Sequence, residues 1–159
     1  MKYIIIGIDP GASGGIAAAV GSDIYTRKLD DLHGVCEWIT GLQESFTETT
    51  TLAYIEAVPK FIGRNIPSSS SFTLGKSYGE LLGVLAALKI KTYRIRPQEW
   101  QKTVRAGIRA KKSQSEWKRH LKCLASELWP QIKVTLWNAD ALLLLEFGLL
   151  KQYGKYPCI

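Results

Sequence analysis

The order of apolar segments predicts an α/β protein built on one five-stranded mixed sheet, three antiparallel strands followed by parallel ones, flanked by helices. Two patterns carry this expectation. Three short strand-like runs open the chain with only tight turns between them, and from there strands alternate with segments of helical spacing. Length is the third observation. The 159 residues predict a single domain over 1–159, because a chain of roughly 150 residues buries about 68–70% of its unfolded surface and needs no metal or disulfide staple for a core. Two-lobed architectures are excluded on the same ground.

The first strand is Lys2 to Ile8, a nearly continuous β-branched run of the kind expected when both faces of a sheet are covered. Asp9-Pro10-Gly11-Ala12-Ser13-Gly14-Gly15 ends it in a turn. Ile16 to Val20 and Ile24 to Leu29 are the second and third strands, joined by Gly21-Ser22-Asp23. Val35, Trp38, Ile39, Leu42 and Phe46 recur at helical spacing. Leu52 to Ile55 is the fourth strand and ends at Glu56. Ala57 to Ser71, with two prolines and four consecutive serines, reads as a loop. Phe72 to Leu88 is the next helix, with Leu74, Tyr78, Leu81, Leu82 and Leu85 on one side, and Lys91 to Ile95 is the fifth strand. Pro97 suits the first position of a short helix to about Val104. A basic loop, Arg105 to Lys112, leads to a helix from Ser113 to Trp129, and Asn138 is placed to cap a last helix through Tyr153.

A globular composition, 46% apolar and 22% charged, excludes a disordered or collagen-like chain. The net charge of +7 is unevenly spread. Residues 1–80 hold six Lys/Arg against nine Asp/Glu, whereas Lys89 to Lys122 hold twelve basic residues and only Glu99 and Glu116 as acids. That asymmetry points to a polyanionic partner held by the second half, the alternative being a solvated basic helix. Cys36, Cys123 and Cys158 form no C-x-x-C pair, which fits reduced thiols rather than a disulfide framework or zinc site. The longest apolar run, Ala141 to Leu145, lies between Asp140 and Glu146, so no membrane span is expected. A soluble, intracellular protein follows, of the cytoplasm or nucleoid, with phage, viral or organellar origin compatible.

Three carboxylates carry the chemistry. Asp9 and Glu56 end strands that this topology makes neighbours, and Asp140 stands in the first turn of a very apolar helix. Like charges so close repel in a partly desolvated site, and a hard divalent cation with oxygen ligands removes that repulsion. Two such ions can activate a water and stabilise the leaving 3′-oxygen of a phosphodiester. Taken singly, Asp9 is also a turn residue, Glu56 a partner for Lys60, and Asp140 a favourable charge at a helix start. Together, in this strand order, they favour a metal site.

The order of elements is the pattern of a ribonuclease H-like domain. Ile8-Asp9-Pro10-Gly11-Ala12-Ser13-Gly14-Gly15, Tyr54-Ile55-Glu56 and Ala139-Asp140-Ala141-Leu142 resemble the signature blocks of RuvC-type Holliday junction resolvases. Ser71-Phe72-Thr73-Leu74-Gly75-Lys76-Ser77-Tyr78-Gly79 with Leu82-Gly83, and Arg96-Pro97-Gln98-Glu99-Trp100-Gln101-Lys102, most resemble its phage, bacterial and plastid branch. The resemblance runs from Lys2 to about Tyr153. It implies a homodimeric crossover junction endodeoxyribonuclease, Mg²⁺-dependent (with Mn²⁺ substituting), that nicks two strands of a four-way junction symmetrically. Asp9, Glu56 and Asp140 would inherit the catalytic metal-ligand role. The chain departs from the family where a fourth acidic or His ligand usually precedes the last Asp. Leu136, Trp137 and Asn138 stand there. Asn138 offers a carbonyl oxygen, so one or two ions per subunit are expected.

Phosphates dominate affinity for DNA, and basic groups supply it through counterion release. The candidate contacts are Lys102, Arg105, Arg109, Lys111, Lys112 and Lys118, with Lys76 near the cut. Ser70 and Ser71 offer hydroxyls and N–H groups near a helix start. Phe61 and Arg64 follow Glu56 closely, and Phe61 can stack on an unpaired base at the crossover. In related resolvases the helix carrying Gly75, Gly79 and Gly83 contributes to the dimer interface; tight packing on the sheet is the alternative. Two other functions remain open: a branched-DNA binding protein with a degenerate, non-cleaving site, and a ribonuclease H-like nuclease acting on RNA–DNA hybrids.

Overall fold

The computed structural model describes residues 3–11, 13–58 and 67–154. Five strands, β1 (Tyr3–Asp9), β2 (Gly15–Val20), β3 (Asp23–Lys28), β4 (Thr50–Glu56) and β5 (Lys91–Ile95), form one sheet in the order β3-β2-β1-β4-β5. β1 pairs antiparallel with β2 and β2 with β3, while β4 runs parallel to both β1 and β5. The helices are α1 (Leu32–Ser45), α2 (Ser68–Ala87), α3 (Pro97–Thr103), α4 (Gln114–Leu128) and α5 (Ala139–Tyr153). The predicted mixed sheet is therefore present, strand for strand.

Alternation along β1 builds both cores. Ile4, Ile6 and Ile8 pack with Val35, Ile39 and Leu42 of α1 and Leu81 and Leu85 of α2. Ile5 faces the other way, into a core with Leu142 and Phe147 of α5, Leu121 of α4 and Trp100 of α3. Each fully buried Ile contributes about 1.5–3 kcal/mol, which is why this run tolerates no polar residue until Asp9. α5 is buried from Ala139 to Leu149, because it lies against the sheet with α4 packed over it.

The helix ends follow local chemistry. Asp31 caps α1 by accepting from the His33 and Gly34 amides at 3.2 and 2.9 Å, so α1 begins earlier than the periodicity at Val35 indicates. Ser113 and Glu116 form a capping box on α4.

Two expectations need correction. The loop predicted to Ser71 ends at Pro67, and Ser68–Ser71 are the first turn of α2: the Ser71 amide already donates to the Pro67 carbonyl at 3.1 Å. Serine's weak helix propensity yields here to a long helix already nucleated downstream. Asn138 occupies the cap position of α5, yet its side chain makes no capping bond. Its amide oxygen instead accepts from the Thr135 amide (2.7 Å) and hydroxyl (3.1 Å), and its Nδ2 donates to the Lys133 carbonyl at 3.2 Å.

Candidate active site

Parallel pairing of β1 with β4, with Ile8 opposite Ile55, brings Asp9 and Glu56 to the same end of the sheet. α5 lies across β1 and sets Asp140 over that end. Into this acidic corner α4 extends Lys118, whose Nζ donates to Asp140 Oδ2 and stands 3.9 Å from Asp9 Oδ2. Asp9 Oδ1 also accepts from the Gly11 amide at 3.3 Å, which ties the carboxylate to the turn after β1. Glu56 is held from the far side: the indole N–H of Trp100 donates to its Oε2 at 2.8 Å. Trp100 itself is fully buried, so this donor has little freedom to turn away.

Protonation reports the crowding. Burial, then Asp140, raises the Asp9 carboxyl above its ordinary value, against the opposing pull of Lys118 and the Gly11 amide. Burial and Asp9 push Glu56 up to about 7, although the Trp100 indole opposes them. Burial alone would depress the Lys118 ammonium, but Asp140 and Asp9, and then Glu56, outweigh it and hold it above the usual lysine range.

A pH dependence follows. Between 4.5 and about 7 the folded chain holds a proton on Glu56 that the unfolded chain has released, so metal-free stability falls as pH rises through that window. Thermal melts in a chelator should therefore show the melting temperature rising from about pH 8 to about pH 5 more steeply in wild type than in Glu56→Gln, which lacks the titrating group.

The donor set suits a hard divalent cation: three carboxylates, two with raised pKa, and Asp140 Oδ1 buried without a hydrogen-bond partner. As they stand, no three acidic, His or Cys side chains among the described residues are gathered into a metal cage; the cation they face is Lys118. An incoming ion would have to share or displace that ammonium. Asn138 cannot supply the fourth ligand in this arrangement, because its oxygen is already taken by Thr135. Glu146, six residues beyond Asp140, is 2% exposed in the core.

A cleft of about 900 Å³ opens from the carboxylates, with Glu56, Asp140 and Lys118 at one part of its wall and Lys102, Arg105 and Arg109 elsewhere on it. Of the sequence-predicted DNA contacts, Lys102, Arg105, Arg109 and Lys118 line the cleft. Lys111 and Lys112 are exposed on the adjoining loop, and Lys112 Nζ lies 5.7 Å from the centre of the Trp117 ring. Lys76 is on the solvent side of α2, 3.7 Å from Glu80. Ser70 lines a small recess with Pro10, the residue after Asp9, whereas the Ser71 amide is spent within the helix. Phe61 and Arg64 lie outside the described residues.

Trp100 was not singled out from the sequence for the site. The signal for it was its place directly after β5, beside the strand that ends in Glu56. Lys118, expected as a DNA contact, stands in this structure as the counter-charge of Asp140 and Asp9.

This arrangement of sheet and helices is the ribonuclease H-like fold. Among solved structures, the chain is similar to RuvC of Thermus thermophilus in complex with a Holliday junction substrate: 13% identity over 96% of this chain and 97% of that one, with a TM-score of 0.59. It is likewise similar to a second Thermus thermophilus RuvC structure, at 15% identity over 95% and 96% of the two chains and a TM-score of 0.54. No protein-family model and no curated protein matches the sequence. At such identities the likeness is one of fold, and it spans nearly the full length of both molecules.

Proposed function

We propose that this chain is a single-domain, structure-selective endonuclease that resolves four-way DNA junctions by metal-dependent phosphodiester hydrolysis. The observation that carries this reading is the gathering of Asp9, Glu56 and Asp140, from β1, β4 and α5, at one end of the sheet, where Glu56 and Asp140 line a cleft whose wall also includes Lys102, Arg105 and Arg109. Carboxylates at one place and cations along the approach are what hydrolysis of a polyanion requires. The end-to-end likeness in fold to a RuvC held on a Holliday junction substrate supports the choice of DNA.

Asp9 and Asp140 would hold a Mg²⁺ or Mn²⁺ ion, with Glu56 completing the ligands. Bound there, the ion would supply a polarised water and neutralise charge at the scissile phosphate. Trp100 fixes the Glu56 carboxylate through Oε2, which leaves Oε1 as the oxygen for an ion. Lys118, released from Asp140, balances phosphate charge, and Lys102, Arg105 and Arg109 hold the strand along its backbone.

Cleavage of a four-way junction should exceed that of a linear duplex and of an RNA–DNA hybrid of equal length by about 10²-fold, the size of a specificity term of roughly 3 kcal/mol. Preferential cutting of the hybrid would overturn the junction reading. Trp100→Phe keeps most of the ring packing and removes the donor. It should weaken Mn²⁺ binding, read from the free-ion paramagnetic resonance signal, by about tenfold while junction affinity in a chelator is unchanged.

Paired nicking calls for two copies. The outer face of α2 suits a two-fold contact: Phe72 is 74% exposed, and a Cβ added at Gly75, Gly79 or Gly83 meets nothing. The glycines are therefore not packed on the sheet, and their smallness would let a second α2 approach closely.

A second reading has its own observation. With Asn138 turned to Thr135 and Lys118 on Asp140, the same fold would suit a branched-DNA binding protein that does not cut.

A further inference from the structure

The cleft that begins at the carboxylates carries on its wall one side chain, Ile108, that none of the roles above explains. The segment between α3 and α4 runs from Val104 to Ser113 without an acidic residue. On it Ile108 stands 82% exposed, more than any other large hydrophobic side chain among the described residues. Ile108 also lines the cleft, together with Gly107 and Arg109. An isoleucine in water amid Arg105, Arg109, Lys111 and Lys112 gains nothing for the fold of this chain.

The loop that presents it has a specified shape. Arg105, Gly107 and Ala110 have φ of 57, 80 and 47°, and only one other non-glycine residue among those described, Lys89, has a positive φ. Such backbone persists where its surroundings determine it, and the anchors are present. Ala106, just before the crest, is 2% exposed; its amide donates to the Gln101 carbonyl at 2.9 Å. Its carbonyl lies 2.7 Å from His120 Nε2 on α4, and the His120 ring is stacked on Trp117. On the far side the Lys112 amide closes onto the Arg109 carbonyl at 3.0 Å. Ile108 is thus held up from a fixed base.

We propose that Ile108 is a wedge that enters between unstacked bases at the branch point of the DNA in the cleft, with Arg105 and Arg109 on the flanking phosphates. Proteins that kink DNA insert single apolar side chains between base steps and must meet the cost of unstacking. At a branch point that stacking is already weakened, so the insertion favours branched DNA over continuous duplex without reading a base edge. The cations around Ile108 commit the occupant to a polyanion, and a lone apolar side chain matches a gap between bases rather than the broad patch of a protein interface. Ile108 is then a specificity-determining residue of the proposed nuclease, and the inference rests on that reading.

The test uses the full chain in a chelator, so that cleavage does not interfere. A four-way junction carrying 2-aminopurine beside the branch, and a linear duplex of equal length, are each titrated with wild type, Ile108→Ala and Ile108→Leu. Wild type should raise the 2-aminopurine fluorescence. Ile108→Ala should lose that rise and lower the junction-to-duplex affinity ratio by about tenfold, the order of one lost contact with a base, with duplex affinity unchanged. Ile108→Leu should restore both. If Ile108→Ala keeps the fluorescence rise and the ratio, the wedge is overturned while the nuclease reading stands. If wild type itself binds junction and duplex equally, the junction reading falls and the wedge falls with it.

Discussion

Asp9→Asn should reduce Mg²⁺-dependent cleavage of a four-way junction by about 10³-fold, roughly 4 kcal/mol of lost transition-state stabilisation, with junction binding nearly unchanged. The two effects separate because of where the residue sits. Asp9 is at the end of β1, tied to the turn by the Gly11 amide and facing Lys118, whereas the exposed cations of the 105–112 loop do not touch it. Asn is close in size, keeps an oxygen for Gly11 and removes the negative charge that a metal ion needs. It also relieves the repulsion with Asp140 that, after burial, raises the Asp9 carboxyl, so the metal-free variant should melt no lower than wild type. Gel-shift titration in a chelator and a cleavage time course in Mg²⁺ measure the two properties separately. Cleavage at the wild-type rate would remove Asp9 from the site.

Gly7→Ala should be severely destabilising, costing about 4 kcal/mol or more and leaving little folded protein. Gly7 lies in β1 on the face that carries α5. A Cβ there would run into the Ala141 carbonyl oxygen and the Leu145 amide nitrogen, and would come within 2.9 Å of the Leu144 carbonyl carbon. All three are backbone atoms of a helix buried between the sheet and α4, so none can swing aside as a side-chain tip would. The helix must lift, and Asp140 lifts with it, away from Asp9. The outcome is legible in chemical denaturation and in the yield of soluble protein. A Gly7→Ala variant of wild-type stability would mean that α5 is not seated on β1 as described.

The two variants show how far the sequence could be read. Strand positions are plain because β-branched runs with turn residues between them have few other uses, and the parallel neighbour relation of β1 and β4 places Asp9 beside Glu56 from the sequence alone. Helix starts were less plain. Asp31 advanced α1 by a cap, and Pro67 started α2 inside a serine run that composition alone reads as loop. The contacts that tune the site were out of reach, because they join distant parts of the chain. Trp100 meets Glu56 across 44 residues and Lys118 meets Asp140 across 22, and both depend on how α3 and α4 settle over the core. A lysine in a basic segment looks like any other phosphate contact until that packing is known. Asn138 is the reverse case: its place before α5 suggested a cap and a metal ligand, while the turn formed by Lys133 and Thr135 claimed its amide.

The decisive measurement is the mapping of nicks on a four-way junction incubated with the wild-type chain in Mg²⁺ and, in parallel, in a chelator. Paired nicks at symmetric positions in two opposing strands, present with the metal and absent without it, are the expected result. A chain that binds the junction yet leaves every strand intact in both Mg²⁺ and Mn²⁺ would contradict the nuclease assignment and make this fold a holder of branched DNA.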